Sequence, residues 1–267
     1  MLRTRIITAV VLVALLLAVV LWLPPIATLI VVTAVVLAGA WEWSAFLRSP
    51  APALRVFYVG AVAVLLPLVW WFTSTTTGTR VVLAIAVLWW LVALLWVICA
   101  PRRAARWSAA LAGLLALVPA WVALMRLRLD MSRGAQWMLF LLILVWVADI
   151  GAFFAGRRFG RMRLAPEVSP GKTWEGVIGG VAVSVLVAIA GSRWFGIPPA
   201  VFVPLFVIAV AFSVVGDLTE SLLKRFAGMK DSGTLFPGHG GVMDRIDSVT
   251  GAAPVLFFGL LALGVAT

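Results

Sequence analysis

Val81–Cys99 reads VVLAIAVLWWLVALLWVIC, nineteen consecutive residues without one charge. At 1.5 Å per residue, a helix of that length crosses a hydrocarbon core of ~30 Å. Outward from this run the pattern repeats to both ends of the chain. Nine candidate spans fall near 6–23, 26–47, 54–73, 80–100, 107–125, 136–156, 174–194, 198–217 and 249–266. Of the 267 residues 64% are apolar and 12% charged, with a mean hydropathy of +1.16. A soluble domain of this length needs more polar surface than that. The expected fold is all-α, a polytopic integral membrane protein with about nine transmembrane helices.

The single cysteine, Cys99, ends the quoted run. Intrachain disulfides and multi-cysteine metal sites are thereby excluded, so any metal is held by oxygen. Arg3 and Arg5 before the first run mimic a signal peptide. That run is too long for one, lacks a small-x-small cleavage site before Pro24 and Pro25, and leads directly into a second span.

The excess of 21 basic over 10 acidic residues would suggest nucleic acid in a soluble protein, but in this one it maps onto short inter-span loops. With nine spans, Arg80, Arg126, Arg128, Arg133 and Arg193 fall on one side and the other sixteen basic residues on the opposite side. The positive-inside rule then places the N-terminus in the cytoplasm and the C-terminus outside. Both long polar loops, 157–173 and 217–248, become cytoplasmic.

The acids are unevenly placed. Only Glu42 and Asp130 precede Asp149, and eight lie from Asp149 to Asp247. Residues 1–130 therefore read as packing helices that shape a cavity for acyl chains, and 131–267 as the part that carries chemistry. No internal repeat supports an inverted-repeat transporter.

Asp149 lies mid-span, where an unpaired carboxylate costs ~2.5–3.5 kcal/mol on insertion scales. It reads either as an ion-pair partner of Arg157 or Arg158 or as the wall of a polar cavity. Ser169, Lys172 and Thr173 are expected at the start of the seventh helix, where free N–H groups and the helix dipole favour phosphate. The spacing is not a Walker A loop, and Ser169 and Thr173 could equally be plain caps.

The densest segment runs from Gly216-Asp217 through Glu220, Ser221, Lys224 and Arg225, then Lys230-Asp231, and on to His239, Asp244, Arg245 and Asp247. If the eighth span continues as helix, Asp217, Glu220 or Ser221, and Lys224 share one face. Asp244 and Asp247 stand three apart on the helix entering the ninth span. Clustered aspartates with nearby bases suit Mg²⁺ and a polyphosphate. A loop of surface salt bridges is the bland alternative. His239, between two glycines, reads as a hydrogen-bonding or loop-shaping residue, with general acid as the other option.

From Ser221 to Asp247 the sequence resembles the phosphatidate cytidylyltransferases. It carries S-x-x-K-R, then K-D-x-G, then P-G-H-G-G-x-x-D-R-x-D. Asp149–Phe154 and Ser169–Gly176 are similar to the family's upstream motifs, with Ile150 where Thr or Ser is common and Gly171 where a larger polar residue is. The resemblance covers roughly 145–250. It implies transfer of cytidylyl from CTP to phosphatidic acid, giving CDP-diacylglycerol and pyrophosphate, by a homodimer in the bacterial inner membrane with its site facing the cytoplasm. It implies Mg²⁺, with Mn²⁺ as a substitute and a second cation left open, and no nucleic-acid partner.

The residue roles that follow place Asp217, Asp244 and Asp247 on the metal and Asp149 on the metal or nucleotide. Lys172, Lys224, Arg225 and Lys230 face phosphates, and Ser169, Thr173 and Ser221 donate hydroxyls. Glu175 orients Lys172, and Arg245 contacts substrate or buttresses the acids. The lipid phosphate is largely ionised at neutral pH, so no strong base is needed. Two rivals remain at this point, a CTP-dependent lipid-alcohol kinase and an ion-conducting transporter built on Asp149 and Asp217.

Overall fold

Hydrocarbon offers backbone N–H and C=O groups no partner, so each apolar run has to close its own hydrogen bonds as a helix. The computed structural model describes residues 2–49, 51–236 and 240–266, with side chains from residue 10 onward apart from residue 12. It contains α1 (Leu2–Leu21), α2 (Pro25–Trp43) with a 3-10 turn at Ser44–Leu47, α3 (Pro52–Phe72), α4 (Thr76–Cys99) and α5 (Arg106–Leu129). The second half holds α6 (Gly134–Phe159), α7 (Trp174–Phe195), α8 (Pro199–Ala227) and α9 (Met243–Ala262). In all, 79% of the residues are helical. Among the described residues, α2 to α9 are each long and apolar enough to cross a membrane.

Two expected boundaries move, and both matter. The eighth span does not stop at 217 but runs as helix to Ala227, and the ninth starts at Met243 rather than near 249. All the acids and bases from Asp217 to Arg225, with Asp244 and Asp247, therefore sit on helix. The loop before α7 is also not plain loop. Arg163–Ala165 (β1) pairs antiparallel with Ser169–Thr173 (β2), Arg163 opposite Thr173 and Ala165 opposite Ser169.

Contacts sort the turns into two ends. At one end Arg126 donates to the Thr73 carbonyl (2.6 Å), Arg133 to that of Trp194 (2.8 Å) and Arg128 to that of Leu23 (3.4 Å). These cations satisfy carbonyls that the helix ends leave unpaired. At the other end Arg102 pairs with Glu167 at 3.0 Å, and Glu42 reaches the start of α9. The partition of loops is the one expected from alternating spans.

α5 and α9 are the most deeply buried helices and pack on one another, with α2 and α4 also against α9. The first five helices and the last four thus share one core. Small residues let α6 and α7 lie close: a Cβ on Gly179 would come within 2.2 Å of Ala155 Cβ. At the end away from the polar loops, Trp137 stacks on Phe195 with centroids 3.8 Å apart, and Phe202 on Phe206 at 4.2 Å. This aromatic stack ties α6, α7 and α8 together.

Candidate active site

The closest approach of α8 and α9 sets the site. A Cβ on Gly216 would lie 2.4 Å from the Asp247 carbonyl oxygen, and one on Gly251 2.1 Å from that of Phe212. Only glycine allows backbones so near. Asp217 follows Gly216 directly, so the contact that excludes side chains also brings its carboxylate within electrostatic reach of Asp247.

Around this contact the polar side chains fall into two arms. In the first, Lys172 from β2 forms an ion pair with Asp217. The Ser221 hydroxyl, one turn on, donates to Asp217 Oδ1 at 3.3 Å. Asp247 faces Asp217 and Glu220 and accepts the Ser248 amide at 2.7 Å. Asp149 on α6 keeps accessible surface though neighbouring groups partly desolvate it, and the charges facing it are Asp217, Lys172 and Arg245. Neither Arg157 nor Arg158 forms an ion pair with it among the described residues, so its charged surroundings are those of the α8–α9 cluster.

In the second arm, Asp244 is saturated. Its Oδ1 accepts from Lys224 Nζ at 2.7 Å, and its Oδ2 from the Ser232 amide (2.9 Å), the Ser232 hydroxyl (2.9 Å) and the Gly241 amide (2.8 Å). Lys224 also stands 2.7 Å from Glu220 Oε2. That contact is close but off the hydrogen-bonding direction, and both buried Glu220 oxygens remain without a hydrogen bond. The Ser232 hydroxyl shares its one proton between Asp244 and Glu42 Oε2, which stands 3.0 Å away, and Glu42 accepts the Met243 amide at 2.9 Å. A Cβ on Gly241 would press within 2.3 Å of the same carboxylate.

Glu42 was missed by sequence reasoning, which treated the first five spans as packing. The available signal was its isolation, a lone acid at the end of a span, where a carboxylate is retained only for a partner. It anchors the polar loop from the N-terminal half.

Several expected placements change. Ser169 and Lys172 lie on β2 and not in the first turn of a helix, so only Thr173 occupies the start of α7, where its hydroxyl accepts the Gly176 amide at 3.2 Å. Glu175 does not orient Lys172. It accepts the Met162 amide at 3.1 Å, clasping the hairpin to α7. Arg225 donates to the Val168 carbonyl at 3.4 Å, supporting the hairpin from α8. Lys230 and Arg245 are exposed and form no ion pair among the described residues. His239 lies outside the described residues.

Asp217, Asp244 and Asp247 do not form a three-carboxylate shell, and among the described residues no group of three His, Cys, Asp or Glu side chains is arranged to hold a metal. What remains open is an Asp217–Asp247 pair with Glu220 and Asp149 beside it. That donor set is hard oxygen and negatively charged, with Asp247 and Glu220 short of hydrogen-bond partners, which fits a divalent cation.

The cytidylyltransferase family model matches residues 3–263. The phosphatidate cytidylyltransferase of Haemophilus influenzae is 40% identical over 95% of this chain and 96% of its own length. That of Pseudomonas aeruginosa is 41% identical over 99% and 98%. A Brucella suis enzyme of the same name is 44% identical across 49% of each chain.

Proposed function

The chain belongs to the cytidylyltransferase family, and on that premise we propose that it transfers cytidylyl from CTP to phosphatidate, forming CDP-diacylglycerol and releasing pyrophosphate. One observation carries the reading to this site. Carboxylates of α6, α8 and α9 converge with Lys172 at the bundle end that also holds both polar loops. Membership of an enzyme family sets the transporter aside.

A phosphatidate oxygen attacks the α-phosphorus of CTP. The new P–O bond replaces the bond to the β-phosphate, and pyrophosphate leaves with its electron pair. The attacking phosphate is largely ionised at neutral pH, so no side chain needs to take a proton. What the residues supply is alignment and relief of repulsion between two polyanions.

Asp217 and Asp247 are assigned to a Mg²⁺ ion, with Mn²⁺ as a substitute and Asp149 and Glu220 available to a second cation. Mg²⁺ is commonly held by one or two carboxylates plus substrate phosphates, and bound there it supplies positive charge to the phosphates. Lys172, beside Asp217, would bind a CTP phosphate. Arg245 and Lys230, exposed at the rim, meet the leaving pyrophosphate. Asp244 positions Lys224, and Thr173 caps α7.

The excess of basic residues on the site's side supports a cytoplasmic site and N-terminus in the inner membrane. A homodimer belongs to the same proposal, and the mass of the detergent-solubilised particle reads it.

The test supplies purified protein with α-labelled CTP and phosphatidate, with Mg²⁺ or with EDTA. Labelled CDP-diacylglycerol and stoichiometric pyrophosphate are expected with Mg²⁺ alone. Release of CDP instead would mean phosphoryl transfer, and turnover undiminished in EDTA would remove the cation from the proposal.

A further inference from the structure

Between the end of α4, the α4–α5 turn and the β1–β2 hairpin lies a cavity of about 650 Å³, within the size range of small-molecule sites. Its floor is apolar, formed by the last turns of α4, including Ile98, and by Leu218 of α8. Its rim is cationic, with Arg102 and Arg103 in the turn between α4 and α5. Arg102 is engaged by Glu167 at 3.0 Å, and Arg103 forms no ion pair among the described residues.

Two lining residues connect the cavity to the site. Leu218 follows Asp217, and Trp174 follows the Lys172-Thr173 pair at the end of β2. α4 packs on α5, α8 and α9, and α7 on α6 and α8, with little direct packing of α4 on α7. Ile98 and Trp174 stand on the seam between those two helices, 66% and 49% exposed.

We propose that this cavity holds the glycerol-phosphate end of the lipid substrate, with Arg103 on its phosphate and the acyl chains leaving through the α4–α7 seam. The inference rests on the reading of the protein as a phosphatidate-consuming enzyme. Charge and polarity commit it to one occupant: a cationic rim over an apolar floor matches an anionic headgroup on a diacylglycerol body. A nucleotide would find no hydrogen-bonding floor there, and a zwitterionic lipid would bring a second cation to the arginines.

Cys99 lines the cavity and is the chain's one cysteine, so it reports occupancy without ambiguity. The rate of Cys99 alkylation by N-ethylmaleimide is measured on wild-type protein in neutral detergent, without CTP and hence without turnover. Phosphatidate is expected to slow it several-fold. Phosphatidylcholine of the same chains is expected to leave it unchanged, phosphatidylglycerol, an anion without the second ionisable phosphate oxygen, to protect less than phosphatidate, and Arg103→Ala to weaken the protection. Equal protection by all three lipids would show an annular lipid site and overturn the proposal, as would no protection by phosphatidate.

Filling the seam with Ile98→Trp is expected to raise the phosphatidate KM about tenfold, with the CTP KM unchanged. An unchanged phosphatidate KM would also overturn it. Absence of CDP-diacylglycerol from the wild-type protein would instead sink the parent reading, and the alkylation result would stand by itself.

Discussion

Asp244 and Asp247 stand three residues apart on the first turns of α9, yet their surroundings are opposite. Asp244 accepts four hydrogen bonds, one of them from Lys224 and three from Ser232 and Gly241. Asp247 accepts one, from the next amide, and otherwise faces the carboxylates of Asp217 and Glu220. A carboxylate whose lone pairs are all taken can hold a loop but has little left for a ligand. One set against its own kind is costly until a cation arrives. The cluster thus divides into a finished arm, its hydrogen bonds made, and an unfinished arm, the one proposed to take the cation and substrate.

The largest effect expected is on the unfinished arm. Asp217→Asn or Asp247→Asn should cost about 10²–10³-fold or more in CDP-diacylglycerol formation, the scale of losing one preorganised charge-stabilising group. The melting temperature should hold or rise in Asp247→Asn, because like-charge repulsion is relieved, whereas Asp217→Asn also gives up the Lys172 pair. A variant that melted early but kept its turnover would break the division.

On the finished arm the order reverses. Asp244→Asn should lower stability by about 3 kcal/mol, the low end for breaking a buried pair. Activity should fall with the loss of folded loop, and a melting curve alongside the rate separates the two. Glu42→Ala should follow more weakly, at about 1–3 kcal/mol for stranding the Met243 amide. Limited proteolysis should then cut within 232–241 sooner, and an unaltered cleavage rate would free the loop from Glu42. The smallest change sharpens the border between arms: Thr173→Ala should cost about 1 kcal/mol of stability as a lost helix cap. A rate loss beyond tenfold would return Thr173 to the substrate.

Most of the membrane architecture was legible in the sequence because hydropathy is local, and a run such as Val81–Cys99 has no alternative in hydrocarbon. The polar segment was legible for a different reason: the spacing of Asp217, Ser221 and Lys224, and of Asp244 and Asp247, matches a helical face once the helix is allowed to continue. What escaped was non-local. Glu42 meets Met243 across 201 positions, and no periodicity within a span records such a meeting. The β1–β2 hairpin was hidden by Pro166, Pro170 and Gly171, which read as loop, although Arg163 and Thr173 close the pair between them. Glu175 was assigned to Lys172 by sequence proximity, and the hairpin gave it the Met162 amide instead.

The glycine contact between α8 and α9 makes the distance between Asp217 and Asp247 one-sided. Peptide planes already touching cannot be pressed together, whereas any methyl group added at Gly216 or Gly251 wedges them apart. Replacing either glycine can therefore only move the two carboxylates apart, and for a cation held as proposed that would admit bulkier ions and not smaller ones. Discrimination against Ca²⁺ should accordingly be the first property to erode when either glycine is replaced.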